Sequence, residues 1–461
     1  MNQQDHIHEP EPGRPGGHET RSPRRWWAVG LAGVTGLALT TVGIAAIPAA
    51  DAIGRALTTD NHTGNPHPPN SDNRGGYQGQ HDDRGTGKGE KEKKPPGTPV
   101  PCDADALIAA ITLANARGGA TLDLASKCTY LLTAIIDDAG LPAITTPITL
   151  NGGKHTIIER AAAVEQFRIL TVDTGGNLTL NHLTITGGYA DTDGGAILVN
   201  TGGALTTNHS TITRNIAATA GGGIGNNGTT TVTHSTISRN TASDSGGGIH
   251  SLGLLKVRES HVDANIANAG GGIFESGSTV TVKGGSISGN QAGTTGGLFV
   301  FGANGVVTGT KITGNTSSGS GTGVRVDNTA QLTMRHVNVS DNTSDISGGG
   351  LFVGEGDNFA VVEDSLLKNN TATFTGGGIF NSGETVLRRT KVAGNQADVG
   401  GGIQNFGTVN LFTTKVTKNI AITTGGGILN SGGTVNLNTA TGTVVIKNRP
   451  NNCVNVPGCA G

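Results

Sequence analysis

"NIANAGGGIF", residues Asn265–Phe274, returns with small changes along most of the chain, for example as "NQADVGGGIQ" (Asn395–Gln404) and "NIAITTGGGILN" (Asn419–Asn430). The apolar residue after each glycine run falls at Ile197, Ile224, Ile249, Ile273, Leu298, Val324, Leu351, Ile379, Ile403 and Ile428. Successive gaps are 27, 25, 24, 25, 26, 27, 28, 24 and 25 residues. Asparagines keep step with them at Asn215, Asn240, Asn265, Asn290, Asn315, Asn342, Asn370, Asn395 and Asn419. Each period holds three short β-type segments: the glycine run with its isoleucine, a stretch like "TVTV" (Thr279–Val282), and one like "STIS" (Ser235–Ser238) that leads into the asparagine. Such a period is too short for a propeller blade and lacks the helix of a leucine-rich repeat. It suits one turn of a parallel β-helix, with turns stacked ~4.8 Å apart. About twelve turns of three strands each are expected from the repeat count.

Stacking gives each repeated residue a physical task. Asparagine amides one turn apart can hydrogen-bond in a ladder that satisfies buried polar groups. Glycines permit the tight corner, with positive φ where needed. The isoleucine points into a narrow core, and the alanine after the asparagine fills a small space.

Composition agrees. The chain has 461 residues, of which 77 are glycine, and aromatics are only 3%. No every-third-residue glycine period exists, which excludes collagen. A thin core of small and β-branched residues follows. A net charge of −2 without a basic stripe excludes a nucleic-acid partner.

The amino terminus reads as a secretory signal or signal anchor over residues 1–52. Arg14, Arg21, Arg24 and Arg25 precede an uncharged stretch from Trp26 to Ala50, and Ala50-Asp51-Ala52 is a small-x-small cleavage site. Left uncleaved, the stretch is long enough to span a bilayer, and this is the chain's one expected membrane contact. Residues 53–100, rich in Pro, Gly, Asn and Lys, read as a disordered linker. Residues 101–193 read as an amino-terminal cap with irregular first turns, 194–448 as the regular repeats, and 449–461 as a carboxy-terminal cap. Over Asp103–Ala116, Leu107, Ile108, Ile111 and Ala114 share one helical face. Asp103 or Asp105 caps the start and Gly118-Gly119 ends it. Export makes the four cysteines disulfide candidates. Three pairings exist, and sequence proximity favours Cys102–Cys128 and Cys453–Cys459. No metal-ligand company surrounds them.

Taken together, "ITLNGGKHTIIERAAAVEQFRILTV" (Ile148–Val172), "LTLNHLTITGGYA" (Leu178–Ala190), the GGGI…Asn array and the terminal "NNC…C" resemble exported right-handed β-helix proteins of actinobacteria. The GGxI and Asn-x-Ala elements are similar to repeats of chlamydial polymorphic outer membrane proteins, and the shape resembles the pectate-lyase-type β-helix. The resemblance spans residues 102–461. It implies an all-β, right-handed parallel β-helix at the cell surface or outside the cell, and it carries little about activity, because such repeats encode scaffold.

Three outward columns hold the chemistry-bearing side chains. His182, His209, His234 and Glu259 each lie three residues before a core aliphatic; a solvated face or a metal site would use them. Phe274, Phe299, Arg325, Phe352 and Phe380 follow the glycine runs and form a candidate strip for stacking on sugars or docking a partner. Arg335-His336, Glu363-Asp364 and Arg388-Arg389 form a charge ladder. If the protein is an enzyme, Glu363, Asp364, Arg388 and Arg389 are its candidate catalytic residues. The chemistry would be a polysaccharide lyase's, with acidic groups or calcium neutralising a uronate and a basic group removing the α-proton. Glu355 and Asp357 sit nearby in the least regular turn. Glycosidase signatures are missing: there is no Gly-His-Gly, and Asp137-Asp138 precedes the regular coils. The "NRP" at Asn448–Pro450 does not match the Arg-x-Pro element that the pectate-lyase resemblance implies. The regular repeat favours a rigid, non-catalytic stalk or binding surface for a polysaccharide or envelope component, with no cofactor unless calcium serves a lyase.

Overall fold

The computed structural model describes residues 97–460. The signal segment and most of the linker lie outside the described residues. The chain winds into a parallel β-solenoid whose walls are four sheets of 14, 12, 13 and 10 strands. One turn shows the plan. Ile249–Ser251 forms the first wall, Leu254–Arg258 the second, His261–Asp263 the third and Ile266–Ala269 the fourth; Ile273–Ser276 begins the next turn. Every pairing between named strands is parallel and follows the repeat, as in Ile249↔Ile273 and Leu255↔Val280.

Two expectations are corrected here. Most turns have four strands rather than three, the fourth wall holding ten strands. The extra one is often only two residues, such as Ile216–Ala217 or Thr241–Ala242, too short to carry an alternation signal. The turns number about fourteen rather than twelve, as the fourteen-stranded wall requires. Part of the excess comes from Thr98–Val100, read as linker, which pairs with Leu122–Leu124 as an edge strand. An edge tolerates Pro99, which has no N–H to donate.

The helix spans Ala104–Ala116, with Asp103 as its N-cap accepting from the Ala106 N–H at 2.8 Å. Leu107, Ile111 and Ala114 bury its inner face against the first turns. It covers an end whose exposed strand edges would otherwise invite pairing. The Cys102–Cys128 and Cys453–Cys459 disulfides form as expected.

The asparagines line the inside of one corner, and all nine are fully buried. Asn265 shows the pattern. Its Nδ2 donates to Asn290 Oδ1 at 3.0 Å, one turn on, and to Ile237 O at 3.0 Å, one turn back. Its Oδ1 accepts from the backbone N–H and Nδ2 of Asn240. Each side chain thus makes four hydrogen bonds, the full capacity of an amide with two donors and two lone pairs. The ladder runs one residue further than the sequence reading. Asn419 Nδ2 donates to Asn448 Oδ1 at 3.0 Å, and Asn448 in turn donates to Asn452 Oδ1, which ends the series within its own turn.

The glycines serve this ladder. A Cβ on Gly248 would lie 3.0 Å from Asn265 Nδ2 and 2.6 Å from Gly272 O. The first glycine of a run, such as Gly348 at φ +67°, takes a left-handed turn and backs onto the next outward ring, that of Phe352. Two residues after the asparagine a small side chain points inward: Ala217, Ala242, Ala267, Ala292, Ala372, Ala397 and Ala421, with Ser317 and Ser344 in the remaining two turns, all buried.

Asn315→Ala would leave the backbone N–H and one Nδ2 hydrogen of Asn290, and the Ile287 carbonyl, without their partner in a fully buried corner. The expected loss is about 2–5 kcal/mol. Asn448→Ala, at the end of the ladder and slightly exposed, loses less. Urea unfolding followed by far-ultraviolet circular dichroism measures both; equal, near-zero changes would remove the ladder as a source of stability.

Candidate functional site

The histidine column and the charge ladder, read as separate features, occupy one corner. His182, His209, His234, Glu259, His336, Asp364 and Arg389 each follow the last residue of a second-wall strand, and each has φ between +44° and +55°. Non-glycine residues are uncommon in this region. Here the turn geometry imposes it at every level, with Gly284 and Gly309 taking the two intervening places. The sequence does not announce this, because His, Glu and Arg are not residues that signal a left-handed turn.

Within the column, the rings of His182, His209 and His234 stack at centroid distances of 4.9 and 4.8 Å. Stacking spends the ring faces on each other. No group of three His, Cys, Asp or Glu side chains among the described residues converges as metal ligands would.

Further along, the charges pair. Arg335 Nε lies 2.8 Å from Glu363 Oε2, and Arg388 Nε lies 3.7 Å from Oε1 of the same carboxylate. Arg389 binds Asp364 through two bonds, Nε to Oδ1 at 2.6 Å and Nη2 to Oδ2 at 2.8 Å. The bidentate guanidinium holds the Asp364 carboxyl below its ordinary pKa, and the carboxylate raises that of Arg389. A group meant to abstract a proton near neutral pH needs the opposite shift. Glu355 and Asp357 are exposed but stand at the far end of the strand Phe359–Glu363. That strand separates them from Glu363 by roughly 13 Å at ~3.3 Å per residue.

The ring column does point outward from the first wall, and its members pair in order: His250, Phe274, Phe299, Arg325, Phe352, Phe380. It is a continuous stack. His250 lies parallel on Phe274 at 5.3 Å, Phe299 meets Phe274 edge-on at 5.1 Å, and Phe352 lies parallel on Phe380 at 4.8 Å. The Arg325 guanidinium sits between Phe299 and Phe352, 5.2 and 4.5 Å from their centres, and is anchored by Asp327 at 2.6 Å. Phe299 is buried and the others are half-buried, so most ring faces contact one another. His250 begins the stack; it follows Ile249 as Phe274 follows Ile273, so the repeat already marks its place, and only a reading centred on phenylalanine leaves it out.

No family model matches the chain, and no curated protein matches it. Among solved structures it is similar to the A-module of mannuronan C-5 epimerase AlgE6 from Azotobacter vinelandii. That match has 16% identity and a TM-score of 0.39, over 73% of this chain and 97% of that one.

Among the described residues, one carboxylic acid is fully buried inside the solenoid. Glu275 occupies the inward position held by Asn226 and Ser251 in the preceding turns, is 0% exposed, and has no hydrogen-bond partner for either carboxylate oxygen. Burial pushes its pKa up to about 8. Ser251 opposes this only in part, since its hydroxyl donates to Gly253 O at 2.9 Å. The acid is sealed from any ligand, so its effect falls on stability. Because the folded-state pKa exceeds the unfolded value of 4.5, the native state is favoured while the carboxyl stays protonated, and stability declines from about pH 4.5 to about pH 8. Glu275→Gln should abolish that slope and raise stability at pH 8 by a few kcal/mol, on the order of 1.4 per pKa unit. Parallel thermal melts from pH 5 to 9 test this; identical profiles for the two proteins would show that Glu275 has a partner.

Proposed function

We propose that this chain is an exported, rigid, non-catalytic rod that presents a binding surface to a polysaccharide or another envelope component. The observation that carries this reading is continuity of register. The long wall pairs in phase from Pro147↔Asn177 to Asn410↔Asn436, and among named strands the one register shift lies in the shortest sheet, between Ala397 and Val399. A rod transmits position along its length; an active site needs groups that converge on one point. The groups best suited to lyase chemistry, Glu363, Asp364, Arg388 and Arg389, are engaged with one another in ion pairs. The self-stacked ring column stiffens the wall that bears it.

Export rests on the arginine-flanked apolar segment and on two disulfides, which persist in oxidising compartments. The amino-terminal segment and linker would set the rod at a distance from its attachment. No helix of the described residues is long and apolar enough to cross a membrane.

The test is turnover. The purified protein, incubated with acidic and neutral polysaccharides with and without calcium, should release no reducing ends and produce no unsaturated-uronate absorbance, while being retained on at least one polymer. Turnover that disappears in Glu363→Ala or Arg389→Ala would replace the rod with a lyase and locate its site.

A further inference from the structure

Charge is segregated along the solenoid axis. From Gly97 to Ser365 the chain carries 13 Lys and Arg against 21 Asp and Glu; from Leu366 to Ala460 it carries 8 against 2. Two of those eight, Arg388 and Arg389, are held by Glu363 and Asp364. The remaining six, Lys368, Lys391, Lys415, Lys418, Lys447 and Arg449, form no salt bridge among the described residues. All but the half-buried Lys368 are exposed.

Their placement is ordered. Lys391 pairs in register with Lys415 on the third wall. Lys418 and Lys447 immediately precede the ladder partners Asn419 and Asn448, so they too stand one turn apart, both at positive φ on the next corner. Between that corner and the fourth wall lies a groove of about 540 Å³, lined by Lys418, Asn419, Ile420, Lys447, Asn448 and Arg449. The two asparagine amides are committed to the ladder. Polar recognition in the groove is therefore left to three cations, beside an apolar surface from Ile420, which is 44% exposed.

We propose that this groove, with the Lys391–Lys415 pair beside it, binds an acidic polysaccharide: a linear glycan with about one carboxylate per sugar, laid along the solenoid axis. The inference rests on the rod reading above and gives it a location and a ligand chemistry. Cations repeating at the ~4.8 Å turn spacing present one charge per step. That step is close to the length of a sugar in an extended chain. Lysine ammoniums are point charges on flexible stems and accept small mismatches in phase. Ile420 offers a contact for the apolar face of a sugar ring, which a phosphodiester chain lacks. Several weak contacts on one chain add through effective concentration.

The experiment immobilises polygalacturonate, polyphosphate and dextran and measures binding of the purified protein at low salt and at about 1 M NaCl, where the screening length is ~3 Å. The protein should bind polygalacturonate, ignore dextran and release at high salt. The triple variant Lys418→Gln, Lys447→Gln, Arg449→Gln should bind at least about tenfold more weakly, a loss of roughly 1.4 kcal/mol or more. Its melting temperature should not change, since all three side chains are exposed. Lys311→Gln, on the third wall four turns below Lys415, should bind like the parent. A triple variant that binds with parental affinity overturns this placement and leaves the rod reading intact. Binding to polyphosphate without binding to polygalacturonate overturns the glycan assignment. Self-association of the parent that the triple variant abolishes would give the groove to a second copy instead. A parent that binds no polysaccharide at all defeats both this inference and the binding half of the proposed function.

Discussion

The amide of a buried asparagine, bonded upward, downward and to the backbone, is the interaction around which each turn is built. It sits in a fully buried corner, where an unpaired donor costs about 1–3 kcal/mol. Once it is in place, several other choices are forced. The third glycine of the run must lack a Cβ, because one on Gly248 would press on Asn265 Nδ2 and the carbonyl of Gly272. The second residue after the asparagine points inward and must be small, as at Ala267 and Ala292. Asparagine, alanine and the glycine run thus recur together because they are parts of one packing unit.

This unit explains how much could be read in advance. Period, ladder, inward isoleucines, capping helix and both disulfides were legible, since each depends on residue types repeated at fixed intervals or on proximity. The fourth wall was not, because two residues carry no period. Asn448 was hidden by its setting: it lies in "NRP", without the alanine and glycines that mark its fellows. The unity of the histidine column and the charge ladder was also hidden. It rests on a shared positive φ, from His182 to Arg389, that the residue types do not encode. Glu275 was passed over because a glutamate after "GGGIF" reads as an ordinary surface charge until its strand is phased, when it falls inward with Asn226 and Ser251.

An interior fixed this tightly leaves variation to the outward positions and the corners. Each outward position becomes a column whose neighbours are one turn apart, and neighbours in a column interact more strongly with each other than with anything diffusing past. The rings stack, Arg325 fills the gap between Phe299 and Phe352, and Glu363 is shared by Arg335 and Arg388. Charges that find an opposite one turn away are neutralised within the wall. Those that meet only like charges, such as Lys391 with Lys415 and Lys418 with Lys447, keep their field for the surroundings.

That asymmetry bears on what such a surface can recognise. A compact substrate needs groups that converge from different directions, and parallel columns in strict register do not converge. They offer the same group again at each step along a line. The ligand such a surface matches is itself repetitive and extended, so the same geometry suits the wall to hold a polymer. The negative excess over the first turns and the positive excess over the last would then orient the rod on a charged matrix, with the basic end engaged and the acidic turns repelled.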